Sequence, residues 1–594
     1  MRKRGFVIGL CCIIFTLLPL AHAQDQMAGG IARMAAYFPQ DTFLFAAARI
    51  DDAYLQEIDA LAERILGDFQ QFGVPSFSLE QALMLVTGDA RESLAWLGDA
   101  AAIGAVGDPR QVFDPQPGGD TYQAYAVIAI DDPAAAAAYL ETRLLAAGYE
   151  RRADDGAFVR PDNLVVTVQG DVLIVYADGS PAPTLENASG LESSPSFTAA
   201  LAELPAEGYN LLAYGDLEVQ DFGRALSPGV DRVIPEVPPF MIGATILQGD
   251  TLALDLVHLT AFESVGTIDP AFARFIPADA NVVVHATNLT TTIRETLYRY
   301  FDLILFGVRP PGAAFEGGGT ESALSQALAS AGIDLDEDIL RWTTGDYALF
   351  MRVDTVGIAR TVVQNRVDLN AALDFGFVTE ATDPEAAAAF ADALVELLTE
   401  AGRASESALR VTPYTVGGVD AALFELTVEL AQGAEPYTLA LVIGTTDAVF
   451  FVTTLGAAES LFTSDASLLN AAAYQDAANV ILPNPASVWY TDGEGFIVGA
   501  VANPIGLPAG LALLGPSVGN VFSSIVTNLD GTGAPPTATP TPSPTPTLTA
   551  PQIDQQVAPL ETLNNLIRHS TMSSTITGSG ATVLRMTITL NPES

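Results

Sequence analysis

The sequence predicts an α+β protein made of two homologous modules, each a mainly antiparallel sheet with covering helices. Three observations predict it. The stretch Tyr37-Phe38-Pro39-Gln40-Asp41-Thr42 returns as Phe275-Ile276-Pro277-Ala278-Asp279. The segments after each proline return in the same order. Hairpin signals also outnumber strict strand–helix–strand alternation, which favours antiparallel pairing. At 594 residues the chain is too long for one core, so more than one domain is expected.

Module one is read over residues 34–263. After Pro39, Thr42–Ile50 is an apolar run suited to a strand. A proline at its entrance is tolerated because its missing N–H lies outside the ladder. Asp51 is placed to cap a helix whose stripe is Leu55, Ile58, Leu61, Ile65 and Leu66. Leu79, Leu83 and Leu94 follow among polar residues. Leu94–Asp99, containing Trp96, then leads into the strand Ala100–Val106, and Tyr122–Ile130 is the next strand. Asp132-Pro133 opens a helix that Gly148 ends, with Asp at the cap, Pro in the first turn and Gly past the end. Leu164–Gln169 and Val172–Tyr176 form a hairpin around Gly170-Asp171. Leu204-Pro205 leads through a strand to Asp216. The hairpin Met241–Leu247/Thr251–Leu259 closes the module.

Module two, residues 275–594, repeats this order. Asn281–Thr287 is the strand, Asn288 the cap, and Ile293, Leu297 and Phe301 the helix stripe. Leu340–Asp346, containing Trp342, enters the strand Tyr347–Val353. Asp383-Pro384 opens the helix that Gly402 ends. Leu439–Ile443 and Ala448–Thr453 match the first hairpin, and Leu482-Pro483 leads to Asp492. Met572–Thr577 and Thr582–Leu590 match the closing pair. The offset between copies grows from 238 at Pro39/Pro277 to 251 at Asp132/Asp383 and 331 at Met241/Met572. Duplication followed by insertion produces such a one-way drift, whereas chance matches scatter. The Pro/Thr-rich stretch 531–551 is therefore read as a disordered excursion inside module two, with the closing hairpin 571–590 returning to its sheet. Just before it, residues 496–529 carry no charge. They are long enough to span a membrane, but Pro504, Pro508 and Pro516 with several glycines break a continuous helix. A packed apolar loop is expected there, or a partner surface if it is exposed.

Residues 1–23 read as a signal peptide: Arg2-Lys3-Arg4, an apolar run, then Ala21-His22-Ala23. The expected location is extracellular or in the cell envelope. Both cysteines, Cys11 and Cys12, lie in that segment, so the remainder has no disulfide or thiol chemistry. Three of the 26 basic residues lie there too. This leaves 23 basic against 71 acidic residues, a net charge of −48. Such a charge repels phosphate backbones and anionic lipids, which excludes nucleic acid as a natural partner.

The chemistry available is narrow. Nucleophilic catalysis lacks Cys and Lys. Gly515-Pro516-Ser517-Val518-Gly519 has the spacing of a nucleophile elbow, but it sits in the Gly/Pro-broken segment without a strand–turn–helix setting. Gly317-Gly318-Gly319 lacks the lysine and helix of a phosphate loop. His258, His285 and His569 are far apart in sequence, so no histidine metal site is expected. Carboxylates are plentiful, yet Asp41/Asp279, Asp51, Asp99/Asp346 and Asp132/Asp383 all fall at turns or helix caps. The acidic runs Asp51-Asp52, Asp154-Asp155 and Asp334–Asp338 lack the calcium loop pattern and suit weak calcium binding at most. Trp96 and Trp342 read as core anchors. No catalytic, cofactor-binding or metal residue is assigned, and no cofactor is expected.

The Phe38–Thr42 opening, the Trp-led strand entries Trp96–Asp99 and Trp342–Asp346, and the layout resemble a family of exported bacterial proteins. That family is catalogued as a domain of unknown function, number three-three-five-two. The resemblance implies an extracytoplasmic α/β protein and brings no activity and no functional residues. The first functional expectation is a non-catalytic envelope or extracellular protein that binds a polymer or another protein. The alternative is a carboxylate-dependent hydrolase acting on glycans, which needs two acids facing across a cleft, one with a raised pKa.

Overall fold

The computed structural model describes residues 27–67, 94–107, 123–160, 164–177, 190–205, 208–216, 239–247, 250–259, 266–292, 329, 332–363, 373–404, 409–428, 437–462, 467–496, 498 and 550–592. The signal-like segment 1–23, Leu79 and Leu83, the stripe Ile293/Leu297/Phe301, Gly317–Gly319 and Gly515–Gly519 lie outside the described residues. So does nearly all of 496–549. The chain divides into two compact units. Unit 1 is Met1–Glu263 with Ile576–Thr587, and unit 2 is Ser264–Thr575 with Ile588–Ser594. Both are α+β, mostly antiparallel sheet with some helices.

In unit 1 the strands are β1 Thr42–Arg49, β2 Leu97–Val106, β3 Gln123–Ile130, β4 Glu150–Arg151, β5 Phe158–Val159, β6 Leu164–Gln169, β7 Val172–Ala177, β8 Leu211–Gly215, β9 Phe240–Leu247 and β10 Thr251–His258. They pair antiparallel in the order β10–β9–β8–β1–β2–β3–β7–β6–β5–β4. The helix Pro133–Ala146 lies on this sheet. Ala136 and Leu140 pack with Trp96, Ile130, Phe158 and Leu173. Asp132 caps it through the N–H groups of Ala134 and Ala135, at 3.1 and 2.9 Å, and Gly148 has φ +84° after its end. Asp51 caps the helix Asp52–Gly67 through Tyr54 N–H at 3.0 Å.

Unit 2 contains β11 Val282–Thr287, β12 Asp346–Val353, β13 Leu373–Glu380, β14 Leu409–Val416, β15 Val419–Val428, β16 Tyr437–Thr445, β17 Val449–Thr454, β18 Ser487–Asp492 and β19 Ile567–Ile576. Its order is β19–β18–β11–β12–β13–β17–β16–β15–β14, again all antiparallel. Strand for strand this is the order β9–β8–β1–β2–β3–β7–β6–β5–β4 of unit 1. Helices cover both faces, because successive strand residues point opposite ways. Ile443 and Phe450 pack with Trp342 and the helix Pro384–Ala404, while Val442 and Phe451 pack with Phe272, Ala458 and Tyr474.

The proline openings take one form in both units. Pro39 bridges Gly190 and Pro277 bridges Ser467. Leu191 N–H donates to Phe38 O at 2.7 Å, and Leu468 N–H to Ile276 O at 2.8 Å. Each opening is thus stitched to a short 3-10 turn, Leu191–Ser193 or Leu468–Asn470.

Some details differ from the sequence reading. The helix expected to end at Gly402 runs to Ala404. A hairpin, β14–β15, stands where none was assigned, with Gly417 and Gly418 at φ +59° and +83°. The helix Ala550–Leu566 begins inside the stretch 531–551 assigned to the excursion. The closing segment crosses the unit boundary. β19 pairs with β18 in unit 2, whereas Ile576–Thr587 belong to unit 1, where the last strand, β20 (Thr582–Leu590), pairs with β10.

Gly104 on β2 shows how tight the opening is. Phe38 stacks on Tyr125 with centroids 4.7 Å apart and meets Phe45 edge-on at 5.2 Å. A Cβ at Gly104 would collide with Cδ1 and Cε1 on the edge of the Phe38 ring. Gly104→Ala is expected to cost about 1–3 kcal/mol through overpacking, read as a lower midpoint in denaturant unfolding. An unchanged midpoint would mean that Phe38 has room to move.

Candidate functional site

Most of the carboxylates that the sequence singles out at caps, turns and acidic runs are occupied by the fold. Asp51 receives Arg49 through two nitrogens, at 2.7 and 2.9 Å. Asp99 pairs with Arg33, Asp279 with Arg352, and Asp155 with Arg152. Asp383 accepts Ala386 N–H at 3.1 Å and faces Arg341. Asp334 accepts the N–H groups of Asp336 and Glu337, both at 3.0 Å, and Asp338 accepts Asp334 N–H. The run 334–338 is therefore a capped turn. Among the described residues no group of three or more His, Cys, Asp or Glu side chains is arranged to hold a metal ion.

The histidines stay apart. His258 is on β10 in unit 1, its ring against Phe240, and burial lowers its pKa below the ordinary value. His285 and His569 are in unit 2, on β11 and β19, with β18 between them. His569 is buried with Nε2 3.1 Å from Asp476 Oδ2. Burial alone would raise the Asp476 carboxyl, but Arg568 and His569 bring it below the usual carboxylate range. Trp96 and Trp342 are buried core residues, and the Trp342 Nε1–H donates to Asp338 O at 2.6 Å.

One place in unit 2 gathers polar side chains at a cavity. It is built on Asp346, the first residue of β12. Its Oδ2 accepts Asp269 N–H at 2.6 Å and faces His285 Nε2 at 3.1 Å. Asp346 N–H donates to Glu380 Oε2 at 3.2 Å, and Asp269 in turn accepts Ala271 N–H at 2.9 Å. The result is a relay in which each acid is held by main chain belonging to or adjoining the next. Gly345 permits it, since a Cβ there would collide with the Glu380 carboxylate. His285 is fully buried and lies against the Phe272 ring, 5.3 Å between centroids. Among the described residues its Nδ1 has no hydrogen-bond partner, so the geometry suits an imidazole with its proton on Nε2, donating to Asp346. Asp269, Phe272, Arg274, Phe275, Asp346, Glu380, Ala381, Asp447 and Ala448 line a pocket of about 280 Å³. Arg274 is exposed, with its guanidinium 4.6 Å from the centre of the Phe275 ring. The offset of the two prolines leads in sequence from His285 back to Ala47.

Sequence reading missed a second polar cluster, in unit 1. Ser196 Oγ lies 2.7 Å from Tyr214 Oη and donates to Asp216 Oδ2 at 3.0 Å, and Tyr214 donates to the same oxygen at 3.1 Å. Burial, with the Asp216 charge beside it, pushes the Tyr214 hydroxyl up to about 12. In unit 2 Asp492 follows Tyr490 with the same spacing, and the second residue of the short helix Ala472–Ala477 is Ala473, where the helix Pro195–Glu203 has Ser196. Among the described residues Asp492 has main-chain donors such as Gly495 N–H at 2.9 Å. Burial, aided by Glu494, pushes its carboxyl up to about 6. The paired sequence echoes at Pro205 and Pro483 pointed to these aspartates, but gave no sign of which one would be left poorly satisfied.

A family profile described as a protein of unknown function, DUF3352, matches residues 184–527, more than half of the chain. The chain belongs to this family. The DUF3352 match takes in the pocket, β11 to β18 and the Phe275–Asp279 opening, but leaves out the first opening at Phe38–Thr42. No curated protein and no solved structure matches the chain.

Asp492 gives a pH prediction. An ordinary aspartate releases its proton near 3.8, whereas folded Asp492 holds it to about 6. A raised acid favours the folded state at low pH, and that contribution is lost as pH rises from about 4 to about 6. The melting temperature of Asp492→Asn relative to wild type should therefore climb across that window and level off above it, in a pH series of thermal melts. A difference that stays constant from pH 4 to pH 8 would contradict the assignment.

Proposed function

We propose that this is an exported, non-catalytic binding or interaction protein of the cell envelope or extracellular space. In this reading its two units are copies of one module, and the unit 2 pocket is its contact site for a polymer or protein partner. The shared strand order and the paired proline openings support the duplication. The amino-terminal pattern and the acidity of the rest support export. No helix among the described residues is long and apolar enough to cross a membrane.

One observation carries the non-catalytic reading. Of the four carboxylates at the pocket, Asp269, Asp346 and Glu380 already accept main-chain N–H groups. A glycan hydrolase needs one acid able to give its proton to the leaving group and a second carboxylate opposite. Asp492 has the raised pKa that such an acid needs, but it does not line this pocket. The acids around the pocket are suited to orienting polar ligand groups, and Phe272 and Phe275 to packing against an apolar face.

The full chain should be melted with a panel of cell-wall glycans while new reducing ends are measured. A melting shift with no new reducing ends is expected for a glycan partner. No shift with any glycan would leave a protein partner, to be captured by cross-linking. Release of reducing ends that Glu380→Gln abolishes would overturn the proposal and establish the hydrolase.

A further inference from the structure

The first unit is finished by the far end of the chain. Unit 1 runs to Glu263 and then takes in Ile576–Thr587, with β20 laid against β10. The inward face of β10 is Thr251, Ala253, Asp255 and Val257, all buried, and Asp255 has no exposed surface. A carboxylate in that row is costly unless it is paired and hydrogen-bonded. Arg585 of β20 supplies the pair: Nε to Oδ1 at 2.8 Å and Nη2 to Oδ2 at 2.9 Å, across 330 residues of sequence. Tyr209 Oη adds a donor to Oδ2 at 2.6 Å. Beyond the ion pair, Ser579 Oγ donates to Glu203 Oε1 at 2.5 Å, and Val583 and Thr587 are buried on the same side of β20 as Arg585.

We propose that β20 is a clasp, locked in register by Arg585 on Asp255, and that unit 1 acquires its native protection only when this carboxy-terminal strand arrives. The register is set by the pleat. A slip of one residue would turn Arg585 outward and set Leu584 or Met586 against a buried carboxylate. The pair is thus worth more as a selector of one strand in one register than as net stabilisation. Without β20, the edge of β10 and the Asp255 charge are both left unanswered. Unit 1 then cannot complete itself as an amino-terminal domain ordinarily does while the rest of a chain is made.

Pulse-labelled hydrogen exchange during refolding of the full chain tests this. The amides of β10 should become protected in the same phase as those of β20, and later than those of β11–β13. Protection of β10 before β20 would overturn the proposal. At equilibrium, Arg585→Met should speed exchange in β8–β10 on the order of a hundredfold, with β11–β13 little changed. An unchanged β10, or equal acceleration in both units, would overturn it. Should Arg585→Met not fold, Asp255→Leu with Arg585→Leu decides. This pair removes both charges and leaves Tyr209 its bond to Pro205 O, so protection of β10 should return. Continued loss of β10 protection would mean that the unanswered Asp255 charge is not what opens β10, and would overturn the proposal.

Discussion

A buried carboxylate must be answered, and in this protein few cations exist to answer it. With Lys3 the only lysine and acids nearly three times as numerous as bases, the chain satisfies its sheltered aspartates one by one. Asp255 takes the bidentate guanidinium of Arg585 and the Tyr209 hydroxyl. Asp346 takes His285 and a main-chain N–H, and Asp216 takes two hydroxyls. Nearer the surface, Asp51, Asp132 and Asp383 take the free N–H groups at helix starts. Where the answer is incomplete, at Asp492, the proton itself is retained to about pH 6. Much of the chain's layout is set by where these acids are placed and what meets them.

The same rule frames the pocket in unit 2. Its acids are bound into the main chain around them. Each of Asp269, Asp346 and Glu380 is tied to the backbone of the loop or strand end beside it, so the group fixes the mouth of the cavity. His285 lies beneath Asp346, its Nε2 3.1 Å from the Asp346 carboxylate. Arg274 and the two phenylalanines give the mouth both a cation and an apolar wall.

Features encoded over a few residues were readable in the sequence. Asp132-Pro133 with Gly148 marks a helix because cap, first turn and end all lie within one segment, and the Gly170-Asp171 turn marks its hairpin for the same reason. The β14–β15 hairpin carries its own local signal in Gly417-Gly418, a pair suited to positive φ at both turn positions. The helix Ala550–Leu566 was masked by the proline-rich composition running into it and by Pro559 within it. Long-range pairings left no local trace. Nothing near Asp255 points to Arg585, and nothing near His285 points to Asp346, because each partner is delivered by strand order. The site was therefore legible only as residue types at caps and turns, and its assembly was not.

The central claim is that the acids at the pocket serve the fold. Equilibrium denaturant unfolding of the full chain, wild type against Asp346→Ala, tests it most directly. Removing an acceptor that holds Asp269 N–H and His285 should destabilise unit 2 by about 1–3 kcal/mol. Unchanged or increased stability, as expected of an acid kept for a ligand or for chemistry at the fold's expense, would contradict the account.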